Sequence, residues 1–435
     1  MLGVGQDGPT VRERRAHGSP AGPPAVQGEP GSPRAGQRDA ERDAGLDAER
    51  DAWVVMASVD GLGPVAFGAL LRRFGNGRSV LETARRPDGR QVLSAAPDPH
   101  DRLEATVAGR LVTAAHEQDL ILGRAAGLRL TVLTLEDARF PLRLLAVELP
   151  PHLLFIQGDI GALSAAHALA VVGTRHPPEH GRRVAARVAA AASEAGATVV
   201  SGLAVGIDGA AHAAAMGAGR PTVAVLGSGH ARLFPRAHRR LAEAIVESGG
   251  AVISEFFPDV GPTRGTFPRR NRLISGLADA TVVVEAPLRS GALITASWAL
   301  EQGRECFLVP GPIDAPTSAG CLAFLREHWG AARIVAGIPE LVEDLGLVGL
   351  ATGGPRRTAH VELSTIERAL ADALAEGAST TDDLVHAVRQ PVATVLGGIT
   401  VLEMRGLVVS AYGRHRLAGR LAGAEPPRLR RAPTG

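Results

Sequence analysis

Six short apolar runs recur through the middle of the chain, ALAVVG, ATVVSG, PTVAVLG, AVISE, TVVVEA and CFLVPG, and four of the six close on Gly. Continuous apolar runs of this length are what strands buried on both faces look like. Ala-rich, amphipathic segments of helical length separate them. The repeating unit over residues 168–311 therefore reads strand, turn, helix, which predicts an α/β fold built on a doubly wound parallel sheet with helices on both faces.

In such sheets ligands sit at the carboxyl ends of the strands. Here those ends carry Gly173-Thr174-Arg175, Ser201-Gly202, Gly227-Ser228-Gly229, Ser290-Gly291 and Pro310-Gly311, so one edge of the sheet collects nearly all the Gly- and Ser-rich turns. Charge decides what that edge suits. The formal net charge is only +2, but Arg175, Arg182 and Arg183 follow the first turn, and Arg264, Arg269, Arg270 and Arg272 crowd the connection after the fourth run. Asp259 is the only acid between residues 256 and 278. Turns offering backbone N–H groups, beside helix N-termini and several guanidinium groups, suit a ligand with several phosphates.

Outside this block the composition shifts twice. Residues 1–50 combine Gly, Pro, Arg, Asp and Glu with few large apolar groups, which predicts a disordered segment. Residues 51–126 then read as a small helical domain. WVVMASVDGLGPVAFGALLRRFG predicts two short helices around Gly61-Leu62-Gly63, with Pro64 at a first helical position and Gly75 closing the second, a SAM-like or helix-hairpin-helix arrangement. Such turns can hold a DNA phosphate on backbone N–H groups, but this one carries no basic residue, which favours a structural role.

The sheet domain is expected over 127–345, a linker over 346–358 and a second small domain over 359–418. There Ser364 with Glu367 and Thr380 with Asp383 make two capping boxes, and Pro391 opens a third helix that Gly406 closes. LVVS and RHRL around Tyr412-Gly413 form a hairpin, completing the parts of a winged helix. Its third helix, PVATVLGGITVLEMR, has no basic residue before Arg405, so a protein contact suits it better than a DNA groove. Residues 419–435 are expected to be a disordered tail.

The absences in the sequence exclude chemistry. All 47 basic residues are arginine, which removes a Walker A lysine and any Schiff-base lysine. Cys306 and Cys321 have neither metal-ligand nor disulfide-framework spacing, so ordinary packing is expected of them, with no metal site and no cofactor. No apolar run approaches the ~20 residues of a membrane span, and no signal pattern opens the chain, so a cytoplasmic protein is expected.

GTRHPPEHG stands where a GxGxxG fingerprint would, and the second strand ends in Ser201-Gly202 rather than a ribose-gripping acid, which argues against nicotinamide chemistry. A phosphoribohydrolase-like nucleotide enzyme is the rival on the same fold, with Glu255 and Glu285 ending strands as acid and base. Against it, SGALITASWAL lacks the paired glycines and following acid of that family. The two glutamates are instead expected to stay ionised as partners of the arginine loop.

AVVGTR, VVSGLAVGIDGAAH, TVAVLGSG and FPRRNRLISGLADATVVVEAPLRSGALITA, with the later GR and VPG, closely resemble the DNA-processing protein A (DprA/Smf) family, over residues 130–335. The resemblance implies an extended Rossmann-like domain that binds single-stranded DNA, forms a homodimer and helps load RecA recombinase in natural transformation (competence), without catalysis. Onto this chain it carries DNA contact at Gly173, Thr174, Arg175, Arg182 and Arg183, at Ser201, Gly202, Gly227 and Gly229, and at Arg269, Arg270, Asn271, Arg272, Ser290 and Gly291. Val205 stands where relatives usually carry Arg, and Gly320-Cys321 where they commonly carry Gly-Asn.

With aromatics only 3% of the chain, recognition is expected to lean on phosphate contacts. Phe234, Phe256, Phe257 and Phe267 are the candidate stacking platforms near the arginines.

Overall fold

The apolar runs become the central strands of a mixed sheet. The computed structural model describes residues 35–95, 102–347, 363–405, 407–411 and 414–417. Among them β1 (Thr131–Thr134), β2 (Leu153–Gly158), β3 (Ala168–Val172), β4 (Thr198–Ser201), β5 (Thr222–Val225), β6 (Ala251–Ser254), β7 (Ala280–Val283), β8 (Glu305–Leu308) and β9 (Ala332–Ile334) form one sheet. Their order is β1-β2-β6-β5-β4-β3-β7-β8-β9.

The six strands read from the sequence are all present, and the parallel pairing runs from β6 through β9. The sheet is not purely parallel, however. β1 and β2 add an antiparallel edge, with Phe155 opposite Ser254 where β2 meets β6. Those strands lie in a stretch interrupted by the short helix Leu142–Leu145, so the repeat that betrays the others is absent.

Side-chain alternation explains why the runs are apolar throughout. In β3, Leu169 and Val171 enter a core shared with the helices Glu179–Glu194 and Ile207–Gly217, while Ala170 and Val172 enter the opposite core with the helices Thr266–Gly276 and Gly291–Glu301. Both faces are covered, so a polar residue on either would be stranded from water. From β3 the chain steps through β4, β5 and β6, then returns to the other side of β3 for β7. This reversal puts a switch point between β3 and β7, and a crevice beyond their carboxyl ends.

The helical region packs Trp53, Met56, Phe67, Leu81 and Leu111 against Leu153 and Phe155 of β2 and Phe257 after β6. Its first helix is longer than expected. It runs Ala35–Ala57, overlapping the segment read as disordered. Glu49 accepts hydrogen bonds from the amides of Gly77 and Arg78, capping the helix Gly77–Arg85. Pro64 does open the next helix and Gly75 closes it at φ +86°.

In the C-terminal domain the helices Thr365–Ala375, Thr381–Val388 and Val392–Met404 precede the hairpin Val408–Ala411 and Arg414–Leu417. Both capping boxes are formed. Gly398 is a close-approach position, since a Cβ there would fall 2.5 Å from Leu370 Cδ1. The expected linker lies largely outside the described residues, as do the expected closing Gly406 and the C-terminal tail. Among the described residues no single helix is long and apolar enough to cross a membrane, and no cluster of His, Cys, Asp or Glu could hold a metal.

Candidate nucleic-acid interface

The first turn of the crevice is pinned on both sides. A Cβ on Gly173 would lie 2.6 Å from Ile207 Cγ1, so only glycine lets β3 end against that helix. Thr174 N donates to the Glu285 carbonyl at 2.7 Å, and Ile207 N donates to the Thr174 carbonyl at 3.3 Å. The consequence is an exposed Arg175, whose guanidinium carbon lies 5.2 Å from the Phe267 ring centroid.

The second turn is held by a buried acid. Asp208 Oδ2 accepts from Gly202 N at 3.1 Å and from Ala204 N at 3.3 Å, while Ser201 Oγ donates to the Val171 carbonyl at 2.6 Å. Burial pushes the Asp208 carboxyl above the usual range, against the pull of Arg270 and the two amides. At the other turns Gly229 N donates to the Val260 carbonyl and Ser290 N to the Pro287 carbonyl. Several amides expected to face a phosphate are thus already bonded within the turns, because a turn this tightly packed must satisfy its own N–H groups.

The arginine-rich helix Thr266–Gly276 divides the expected contacts. Eight of its eleven residues are buried, Arg270, Asn271 and Arg272 included. Arg270 Nη1 donates to the carbonyls of Gly202 and Val225. Burial lowers its pKa to about 10, with Asp208 opposing the shift and Arg175 adding to it, so the group stays charged at neutral pH. Asn271 Nδ2 donates to the Gly291 carbonyl at 3.0 Å, tying this helix to the next. Arg272 grips Glu255 with two bonds, 3.0 Å to Oε1 and 2.7 Å to Oε2, both side chains nearly fully buried.

Arg270 and Arg272 are therefore mostly buried, their guanidinium groups completing the hydrogen bonding of buried carbonyls and a buried carboxylate, while Arg270 also borders two cavities at the sheet edge. Arg269 on the same helix stays exposed, its guanidinium carbon 5.0 Å from the Phe256 ring centroid.

Glu285 is not a partner of the arginine loop, contrary to expectation. Its carboxylate lies so close to Gly181 that a Cβ there would meet Oε2 at 2.7 Å, and Oε2 has no hydrogen-bond partner. Burial raises its pKa, and nearby His180 opposes the shift. Cys306 and Cys321 are fully buried, and burial first of all pushes both thiols up to about 12.

Gly173, Thr174, Arg175, Arg270, Ser290 and Gly291 come together around a cavity of about 290 Å³ at the switch point. A second cavity, of about 80 Å³, adjoins it between Arg175, Gly202, Phe234, Pro235 and Phe267. Phe234 in turn borders a third, of about 520 Å³, walled by Arg232, Arg236 and Arg239. These three exposed arginines were not singled out above, although their signal is legible in HARLFPRAHRR.

Arg182 and Arg183 are exposed on the helix Glu179–Glu194 but line none of these cavities. Gly227 faces the Phe267 ring, 2.7 Å from where its Cβ would be. Among the aromatics, Phe256 and Phe257 are buried, whereas Phe234 is 40% exposed and meets Phe267 edge-on at 5.9 Å.

The chain as a whole resembles known proteins. The family described as DNA recombination-mediator protein A matches residues 131–346, and the DprA winged helix domain matches 354–414. Protein Smf of Escherichia coli K12 is 39% identical over 282 residues, covering 63% of this chain and 74% of that one. This chain belongs to the DprA/Smf family.

A putative DNA processing protein DprA of Mycobacterium tuberculosis is 43% identical over 256 residues, 58% of this chain and 65% of its own length. The structure of DprA from Streptococcus pneumoniae superposes with a TM-score of 0.53 at 29% identity, covering 68% of this chain and 97% of that one. The DprA/Smf architecture of helical region, α/β sheet and winged helix accounts for the element order described above.

Proposed function

We propose that this chain binds single-stranded DNA along the carboxyl edge of its sheet, without reading sequence, and acts as a recombination mediator. The observation that carries this is the sequence of shared walls: Arg175 and Phe267 join the first cavity to the second, and Phe234 joins the second to the arginine-lined third. A strand of phosphates and unstacked bases matches alternating guanidinium groups and aromatic rings. A rigid duplex would present its bases already stacked and paired.

The role is one of binding, not turnover. Glu255 is held by Arg272, so the acid and base that a nucleotide hydrolase needs are not poised at one substrate position. Fluorescence anisotropy with a labelled single strand against its duplex tests the reading. Equal affinity for both, or multiple-turnover release of base from a nucleoside monophosphate, would sink it.

Two partners complete the proposal. A RecA-type recombinase is the acceptor of the bound strand, which would place the protein in the cytoplasm. A second copy of the chain is the other partner, supported by the β9 edge, where Trp329 is 89% and Ile334 51% exposed. Sedimentation of the full chain as a monomer at all concentrations would remove the dimer from this account.

A further inference from the structure

Two turns follow the neighbouring strands β7 and β8 at the carboxyl edge, where those strands end paired in parallel, Val283 beside Leu308. In the first, Ser290 N donates to the Pro287 carbonyl at 3.0 Å, which puts Leu288 and Arg289 at the tip. In the second, Ala315 N donates to the Pro312 carbonyl at 3.2 Å, which puts Ile313 and Asp314 at the tip. Each is a four-residue turn with proline first, an aliphatic residue second and a charged residue third. Turn tips are ordinarily built from small and polar residues, yet Leu288 is 63% and Ile313 90% exposed.

The start of one helix, Ala319–Glu327, braces both turns. Gly320 N donates to the Ala286 carbonyl at 2.9 Å, and a Cβ on Gly320 would fall 2.5 Å from the carbonyl oxygens of Ala286 and Pro287. On the other turn Ser318 N donates to the Ala315 carbonyl at 3.0 Å, and Ser318 Oγ packs so closely on Gly311 that a Cβ there would overlap it. Backbone bonds on a shared base thus hold the two aliphatic tips outward. Single exposed apolar residues need no explanation, but two held side by side at the rim of a cavity mark a contact surface.

We propose, on the reading that this edge binds single-stranded DNA, that Leu288 and Ile313 form an apolar wedge against unstacked bases of the same strand. Continuity with the interface selects this occupant. Ser290, which closes the first turn, and Gly291 after it line the cavity of about 290 Å³ at the switch point. The arginine-lined cavity follows β5 and β6 on one side of that point, and the two turns follow β7 and β8 on the other. A strand leaving the cavity on this side meets the aliphatic tips. Charge assigns them to bases, since Asp314 at the second tip would repel a phosphate. Every base has an apolar face that Leu or Ile can cover, so the contact tolerates any sequence.

The test is anisotropy titration of the full chain against a labelled mixed-sequence strand and against a strand of equal length made of abasic residues. Leu288→Ser combined with Ile313→Ser is expected to weaken binding of the mixed-sequence strand roughly tenfold, the loss of about one buried aliphatic side chain. Its log–log salt slope should stay unchanged, because no phosphate contact is removed. On the abasic strand the variant should match the wild type, whereas Arg175→Ala should weaken binding to both strands. Both side chains lie outside the core, so an unchanged melting curve checks the fold, and each single variant should show part of the loss.

Undiminished affinity of the double variant, in a protein whose wild type still prefers single strand to duplex, would overturn the wedge and leave the reading of the edge intact. An equal loss on the abasic strand, or a lowered salt slope, would also overturn it by making the turns a phosphate-facing surface. Lost self-association in sedimentation with DNA affinity unchanged would give the tips to a contact between copies instead. Equal affinity of the wild type for single strand and duplex would remove the reading itself, and the wedge with it.

Discussion

The guanidinium of Arg175 lies over the ring of Phe267, 5.2 Å from its centroid, so the exposed cation of the β3 turn is held in place by a neighbouring helix. A positioned cation over an aromatic face is preorganised for a phosphate on its open side. Arg175→Ala is expected to weaken binding alike for unrelated single-stranded sequences, and to lower the log–log salt slope by about 0.7, the value of one phosphate on a single strand. An unchanged slope would remove Arg175 from the interface. Phe267→Ala should reproduce part of the loss through mispositioning alone.

Arg232, Arg236 and Arg239 line the largest of the three linked cavities. If the strand continues past Phe234 into it, a short oligonucleotide and a longer one will respond differently. The triple alanine variant is expected to reduce affinity for the longer strand while leaving the short one nearly unaffected. Phe234→Ala should cost about 1–3 kcal/mol, the range for one stacked base. Identical losses on both lengths would place the arginines outside the strand's path.

The Arg272 and Glu255 pair makes the opposite prediction. Arg272→Ala leaves the buried Glu255 carboxylate with only the 4.0 Å contact to Arg269, which costs up to about 3–5 kcal/mol, and should lower the denaturant midpoint more than the DNA affinity. Replacing both residues by apolar groups of similar size should recover much of that loss. A variant Arg272→Ala of unchanged stability that no longer binds DNA would restore Arg272 to the contact surface.

His212 gives the fold a pH dependence. Its Nδ1 lies 2.8 Å from Thr222 Oγ1, which itself donates to the Val199 carbonyl, so Nδ1 is the donor and Nε2 carries no proton. Nε2 is buried without a partner. Burial first, then His238 and Arg270, lower the pKa from 6.5 to about 3. The unfolded chain therefore takes up a proton that the folded one refuses, and stability present above pH 6.5 falls as the pH drops towards 4.

Burial likewise lowers His152 and His230 to about 4, which adds to the same slope. The unfolding free energy from urea titrations should fall by on the order of a few kcal/mol between pH 7 and pH 4 in the wild type. His212→Asn should shallow that slope. An unaltered slope in the variant would show that His212 is not one of the groups responsible.

The strand-turn-helix repeat, the two capping boxes, the opening Pro64 and the closing Gly75 were legible in the sequence because each is local. A cap is satisfied within one helical turn, and a strand covered on both faces must be apolar whatever covers it. The family could be named for the same reason, since its motifs lie at the turns after the strands. What the sequence could not say is which arginines face water.

Arg269, Arg270 and Arg272 are near neighbours in FPRRNR, yet one is exposed, one completes the ends of β4 and β5, and one neutralises Glu255. Helical rotation points them in different directions, and burial depends on what distant segments pack there. The antiparallel edge was hidden likewise, the pairing of β2 with β6 joining residues far apart in the chain. Glu285 was misjudged because its neighbour is the backbone at Gly181, a contact that exists only once the helix Glu179–Glu194 has docked.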